Sequence, residues 1–213
     1  MIPNYLVGTL AEKSFDVKHL DSEFLQIDTH AMKRTADQPD KLDARLTGWK
    51  REIPGLDGPT EGIVERIQVL AHYFNRSLED TLVELGMDRR AYWLIGQLRF
   101  VGAPYRQSPG QLADSLHLSS GAMTARLDRL EAAGLIRRLP DPTDRRGSLI
   151  EPTEAGHAAW ERCTGVQAQR EALIAGALSE AEKAQLHGLL RRLMRAFPPS
   201  YDHPRKHHSE PED

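Results

Sequence analysis

Between residues 60 and 85 the apolar positions Ile63, Ile67, Leu70, Phe74, Leu78 and Leu82 fall three and four apart. That spacing predicts one long amphipathic helix, stopped at Gly86. Asp88 is placed to cap a second helix over 89–101, which carries Tyr92, Leu94, Ile95, Leu98 and Val101. After a Gly102-Ala103-Pro104 turn, Ser108-Pro109-Gly110-Gln111 reads as a capping box with proline at the first helical position. The short helix it opens runs to about Leu116. Ser119 or Ser120 caps the next, which ends at Gly134. The pattern then turns to β: Leu135–Leu139, a loop from Pro140 to Gly147, and a return strand Ser148–Ile150. From Thr153 it is helical again to about Ala175, where Gly176 is expected to stop the helix in the left-handed conformation. A second capping box, Ser179 with Glu182, opens a last helix bearing Leu186, Leu189, Leu190, Leu193 and Met194. The reading is mainly α with a small β wing, in the order four helices, wing, two helices, with no internal repeat.

The two ends differ from this middle. Residues 1–45 are polar and weakly periodic, so a mobile extension with one short helix is expected there. The tail 198–213, PPSYDHPRKHHSEPED, is too rich in Pro, His and charge to bury a core and is expected to be disordered. The folded unit is therefore placed at 46–197, with a central lobe over 88–152 and flanking helices at 60–85 and 154–197.

Composition narrows the classes. The chain has 213 residues, 39% of them hydrophobic and 28% charged, with a formal net charge of −3. No apolar run nears the roughly 18 residues of a membrane span. The N-terminus lacks the basic start and apolar stretch of a secretory signal, and the single Cys163 fits a reducing cytoplasm. Net acidity argues against indiscriminate polyanion binding, so any nucleic-acid site must be a local patch.

Segment 108–150 carries such a patch. A short helix, a turn and a second helix with small and polar residues at its start describe a helix-turn-helix, whose second helix enters a major groove. On a helical wheel Met123, Leu127 and Leu130 share the core face, while Gly121, Ala125 and Asp128 point outward with Thr124 and Arg129 beside them. The small outward residues let the backbone approach base edges, and Ser120, Thr124 and Arg129 are placed to reach bases or phosphates, with Ser108 and Ser119 at the helix starts. Asp128 either accepts from a base or pairs with a nearby arginine. In the wing, Arg145 and Arg146 sit at a hairpin tip flanked by Asp141 and Asp144. One arginine suits a narrow minor groove, and Asp144 holds the other or the loop in shape. Residues 123–150 hold six arginines against four acids, a modest excess. Affinity must then come from geometry and duplication. The flanking helices carry more apolar surface than the lobe can cover, which points to a two-fold dimer reading a near-palindrome.

These motifs resemble the MarR family of winged-helix regulators. The residues that carry the resemblance are Ser108-Pro109-Gly110-Gln111-Leu112-Ala113, Leu118-Ser119-Ser120-Gly121-Ala122-Met123-Thr124, Arg126-Leu127-Asp128-Arg129-Leu130-Glu131, Gly134-Leu135-Ile136-Arg137-Arg138, the wing Asp141–Arg146, and Pro152-Thr153-Glu154-Ala155-Gly156. The family implies a winged helix-turn-helix with N- and C-terminal dimerisation helices. It also implies a homodimer that binds palindromic promoter DNA, usually as a repressor, and that a small aromatic or anionic effector releases. Asp144 and Arg146 match the family wing, which makes Arg146 the minor-groove residue. Trp49, Arg126 and Arg138 look like the ligand positions of a urate-responsive subset. That subset's aspartate is Trp93 here, which implies a flatter, more aromatic ligand. By its own chemistry Arg126, at the edge of the buried face, needs either an anionic ligand or an acidic neighbour.

Other chemistry is poorly represented. His72, His117, His157 and His187 lack ligand spacing, so no metal or other cofactor is expected; His207-His208 fall in the tail. Cys163 lies mid-helix, the setting of a buried structural thiol. No phosphate loop, nucleophile elbow or paired catalytic acid is present, so an enzyme acting through His and Cys163 is disfavoured. The remaining alternative is a winged-helix protein-interaction module without DNA binding.

Overall fold

The computed structural model describes residues 38–197. The expectations for 1–37 and for the tail 198–213, including His207-His208, lie outside these residues. The elements run α1 (Lys41–Glu52), α2 (Gly58–Glu84), α3 (Arg89–Phe100), α4 (Pro109–Ser115), α5 (Ser120–Ala132), β1 (Ile136–Pro140), β2 (Ser148–Pro152), α6 (Glu154–Ala175) and α7 (Glu180–Met194).

Helix α1 crosses the boundary expected after residue 45. Asp40 accepts from Leu42 N at 2.8 Å, and Asp43 reaches back to Asp40 N at 2.7 Å, forming a capping box. Both carboxylates also receive Arg66 of α2, at 2.9 and 2.8 Å. The end of the stretch expected to be a mobile polar extension is thus the start of a helix pinned to α2.

The core forms where α3, α4, α5 and α6 meet the wing. Leu94, Ile95, Leu98, Leu112, Met123, Leu127, Ile136 and Ile150 are fully buried in one cluster, each contributing about 1.5–3 kcal/mol by leaving water. β1 and β2 pair antiparallel, with Arg138 opposite Ile150. Gln107 adds a bridge to the other edge of β2, its N–H donating to Ile150 O and its carbonyl accepting from Ile150 N. The helix-turn-helix is thereby stitched to the wing by backbone as well as by apolar packing.

Helix α6 runs from the wing back to α2. Its Trp160, Cys163 and Val166 are buried, and Arg170 donates to Thr81 Oγ1 at 2.5 Å and to Glu84 at 2.6 Å on α2. The stop at Gly176 differs from the expected left-handed residue, because its φ is −63°. Ser179 begins the next cap three residues later, and the chain turns through Gly176 N→Leu173 O and Leu178 N→Ala175 O bonds without reversing hand.

Two apolar faces are left uncovered within the single chain. Ile63, Ile67, Leu70 and Phe74 line the first half of α2, and Leu186, Leu189, Leu190, Leu193 and Phe197 line α7 and its end; all are exposed, and α7 buries no residue.

Candidate nucleic-acid interface

Ser108 and Ser119 set the two helices of the helix-turn-helix. Ser108 Oγ accepts from Gln111 N at 3.2 Å while Gln111 Oε1 accepts from Ser108 N, and Ser119 Oγ accepts from Ala122 N at 3.3 Å. Each serine uses its oxygen as an acceptor in the cap, leaving the hydroxyl proton for an outside acceptor. Met123, Leu127 and Leu130 seat α5 in the core, so Ser120, Gly121, Thr124, Ala125 and Asp128 face outward and are exposed. Thr124 donates to Ser120 O at 2.9 Å, and Arg129 Nε to Ala125 O at 3.2 Å. The two terminal guanidinium nitrogens of Arg129 stay available.

The wing loop is held by its own carboxylates. Asp141 accepts from Thr143 N at 2.8 Å and Thr143 Oγ1 at 2.7 Å; the threonine hydroxyl is the main reason its carboxyl sits below the usual value. Asp144 accepts from Arg146 N at 2.9 Å, so it shapes the loop through backbone. Arg145 and Arg146 are exposed, and neither forms an ion pair with a described residue.

Arg138 leaves the wing for the recognition helix. It pairs with Asp128 at 2.6 Å and forms a short ion pair with Glu131, which also accepts from Arg138 N at 3.1 Å. Asp128 therefore takes the arginine of the two options its position left open. Burial first opposes the charge of Glu151 on β2, but Arg106 at 2.6 Å and Arg137 beside it hold its carboxyl below the ordinary value. This clamp ties the approach to α4 to both wing strands.

Of the residues expected to take a ligand, Arg126 lines a cleft. A recess of about 350 Å³ is lined by Gly86, Met87, Asp88, Arg90, Arg126, Arg129 and neighbouring α5 residues. Burial, and then the nearby charge of Arg90, push the Arg126 guanidinium below its ordinary value. Its nearest opposing carboxylate, Asp88, already caps α3 by accepting from Ala91 N at 2.9 Å. Trp49 lies on α1 under the guanidinium of Arg45, 4.6 Å from the ring centroid. Trp93 is exposed and meets Tyr92 edge-on. Neither tryptophan nor Arg138 lines the cleft. Arg90, which does, gave no signal in the sequence beyond one more charge at a helix start.

The family model for the MarR family matches residues 104–148, the helix-turn-helix and most of the wing. The transcriptional regulator PecS of Dickeya dadantii is 33% identical over 145 residues, covering 68% of this chain and 87% of PecS. The chain belongs to the MarR family. Its relatives include the multiple antibiotic resistance protein MarR of Salmonella typhimurium, 32% identical over 123 residues, or 56% of this chain and 82% of that one. Among solved structures, wild-type apo MarR of E. coli superposes with a TM-score of 0.52 at 28% identity, covering 61% of this chain and 94% of that one. A cysteine-to-serine mutant of the same protein, complexed with operator DNA, superposes at 0.50 with 25% identity over 73% of this chain and 99% of that one. The protein is thus a MarR-family transcriptional regulator of winged-helix architecture. Among the described residues no helix is long and apolar enough to cross a membrane.

Proposed function

We propose that this MarR-family protein is a homodimeric repressor of a near-palindromic operator, released by a small anionic effector. The observation that carries the reading is the pairing of a slim recognition face with an uncommitted cationic wing. Ser120, Gly121, Thr124 and Ala125 present almost no side-chain bulk, and Arg145 and Arg146 at the wing tip are exposed with no acidic partner among the described residues. α5 enters the major groove, with Ser120, Thr124 and Arg129 at bases or phosphates and Ser108 and Ser119 donating to the backbone. Arg146 enters the adjacent minor groove. The E. coli relative solved in complex with operator DNA supports DNA as the partner. The exposed faces of α2 and α7 bury against a second copy, which sets two recognition helices about one DNA turn apart.

The effector belongs in the Arg126 cleft, whose lining holds three arginines and one aspartate that is already engaged as a helix cap. The placement beside Trp49 expected from the family resemblance is replaced by Arg90 and Arg129. A compact anion bearing a carboxylate or enolate suits this charge, and its binding loads the helix that reads DNA.

A fluorescence-anisotropy titration on the DNA upstream of the protein's own gene tests the reading. Tight, strongly salt-dependent binding that Arg146→Ala weakens supports it. Binding to no duplex at any salt concentration favours the interaction-module alternative.

A further inference from the structure

On the face of the lobe away from the recognition helix, one histidine ties three elements together. His157 lies in the first turn of α6, and its Nδ1 accepts from Arg99 Nη1 at 2.7 Å. A guanidinium only donates, so this contact requires Nδ1 to be unprotonated and His157 to be neutral. Arg99, at the end of α3, is largely buried. It pairs with Glu161 at 3.1 Å, and its guanidinium carbon lies 4.8 Å from the Trp160 ring centroid and 5.6 Å from that of Tyr105. Tyr105 in turn meets His157 edge-on, with centroids 5.0 Å apart.

Tyr105 is the sensitive member of the group. Its φ of +62° is in the left-handed region, unfavourable for an aromatic residue, so its surroundings must hold it there. The backbone N–H of Tyr105 donates to Gly102 O at 2.7 Å, and its ring meets His157 edge-on and the guanidinium of Arg99. The next three residues fasten the helix-turn-helix: Arg106 to Glu151, Gln107 to Ile150, and Ser108 as the cap of α4. A change at His157 therefore reaches the start of the DNA-reading unit within three residues of chain.

We propose that His157 is a positioning residue for the helix-turn-helix, and that it works only in its neutral form. Protonation removes the acceptor for Arg99 and sets a second cation against it. The charged and titratable groups facing the imidazole are Arg99 from α3, Glu161 from α6, Glu151 from β2 and Tyr105 from the loop. The two carboxylates favour the charged ring, but burial, followed by the Arg99 charge, outweighs them and lowers its pKa. The sign follows from that lowering. The arrangement is complete above the ordinary imidazole value of about 6.5 and is lost only as the pH falls on through the lowered value of the folded protein.

The effect on DNA rests on the proposed function, so the test reads the loop first and without DNA. Hydrogen exchange of residues 102–108, corrected for intrinsic rates, is measured between pH 7.5 and 5.5 in the wild type and in His157→Asn. Asparagine Oδ1 replaces the Nδ1 acceptor and does not titrate. The expected result is a several-fold loss of protection in the wild type at pH 5.5 and none in the variant. A variant with His72, His117 and His187 all replaced by Asn is expected to keep the wild-type response. Flat protection in the wild type overturns the proposal whether or not His157→Asn folds, as does an equal loss in a folded His157→Asn. In parallel, operator affinity is expected to fall several-fold over the same range in the wild type only. Exchange that responds without any DNA binding at either pH would retain the loop device and reject the DNA-binding reading.

Discussion

Gly156 lies so close to the carbonyl of Leu135 that a β-carbon there would sit 2.0 Å from the oxygen. The same turn receives Thr153 N at Leu135 O, 3.0 Å away, and Thr153 Oγ1 at Gly134 O, 2.6 Å away. The first turn of α6 is thus keyed into the backbone that leaves the recognition helix.

The clashing atom is backbone and cannot swing aside, so Gly156→Ala should cost at least the upper part of the usual 1–3 kcal/mol for overpacking. Thermal unfolding checks this, and a melting temperature within a degree of the wild type would contradict the contact.

Gly121 is the opposite case, since a β-carbon there meets nothing within 4 Å. Gly121→Ala should leave stability unchanged or raise it by up to about 1 kcal/mol. Gly121→Leu should fold equally well yet lose operator affinity at least tenfold, because its bulk stands between α5 and the bases. Denaturant melts and anisotropy titrations on the same samples separate the two effects. Undiminished affinity in the leucine variant would remove α5 from the groove.

Arg146→Ala is expected to cost about 1–3 kcal/mol of operator binding with little change in melting temperature. Asp144→Asn should weaken binding less, because it loosens the loop and leaves the cation in place. If Asp144→Asn proved the more damaging change, the arginine would not be the contact.

Arg138 is bound to Asp128 and Glu131, which assigns it to the joint between wing and recognition helix. A double-mutant cycle measures that role. Arg138→Ala should weaken DNA binding in the wild type and have much less effect once Asp128→Asn and Glu131→Gln are present. Additive losses would give Arg138 an independent contact with DNA or effector.

Cys163 is 1% exposed, and burial raises its thiol pKa above the ordinary 9.0. A group whose pKa is raised on folding favours the native state below its unfolded value and penalises it as the pH climbs past that value. The wild type should therefore lose stability above about pH 9, and Cys163→Ala should lose less over the same range. Thiol-reactive reagents at neutral pH should modify the folded protein slowly. Rapid stoichiometric labelling of the native state would place the sulfur elsewhere.

Local chemistry was readable directly. The capping boxes at Ser108 and Ser179, the cap at Ser119 and the core face of Met123, Leu127 and Leu130 all depend on spacings within one helix, and the structure realises each of them. What the sequence could not disclose depends on residues brought together from afar. Arg90 and Arg126 line one recess although they lie on different helices, α3 and α5. His157 and Arg99 are 58 residues apart, and neither has a distinguishing neighbour in sequence. The helix at Lys41–Glu52 was hidden for a different reason. Its short stripe of Leu42, Leu46 and Trp49 is only half-buried, and charge pairs with α2 help to hold it. The pairing of Arg138 with Asp128 and Glu131 likewise depends on strand β1 lying against α5.

The central claim is that two copies of the chain present two recognition helices and two wing arginines at the pitch of duplex DNA. Sedimentation of the purified complex on a duplex carrying its protected upstream site, with a hydroxyl-radical footprint of the same complex, tests it most directly. The expected result is two chains per duplex and a footprint of dyad symmetry, with half-site centres about 10 base pairs apart. A single bound chain, or an asymmetric footprint unchanged by Arg146→Ala, would contradict it.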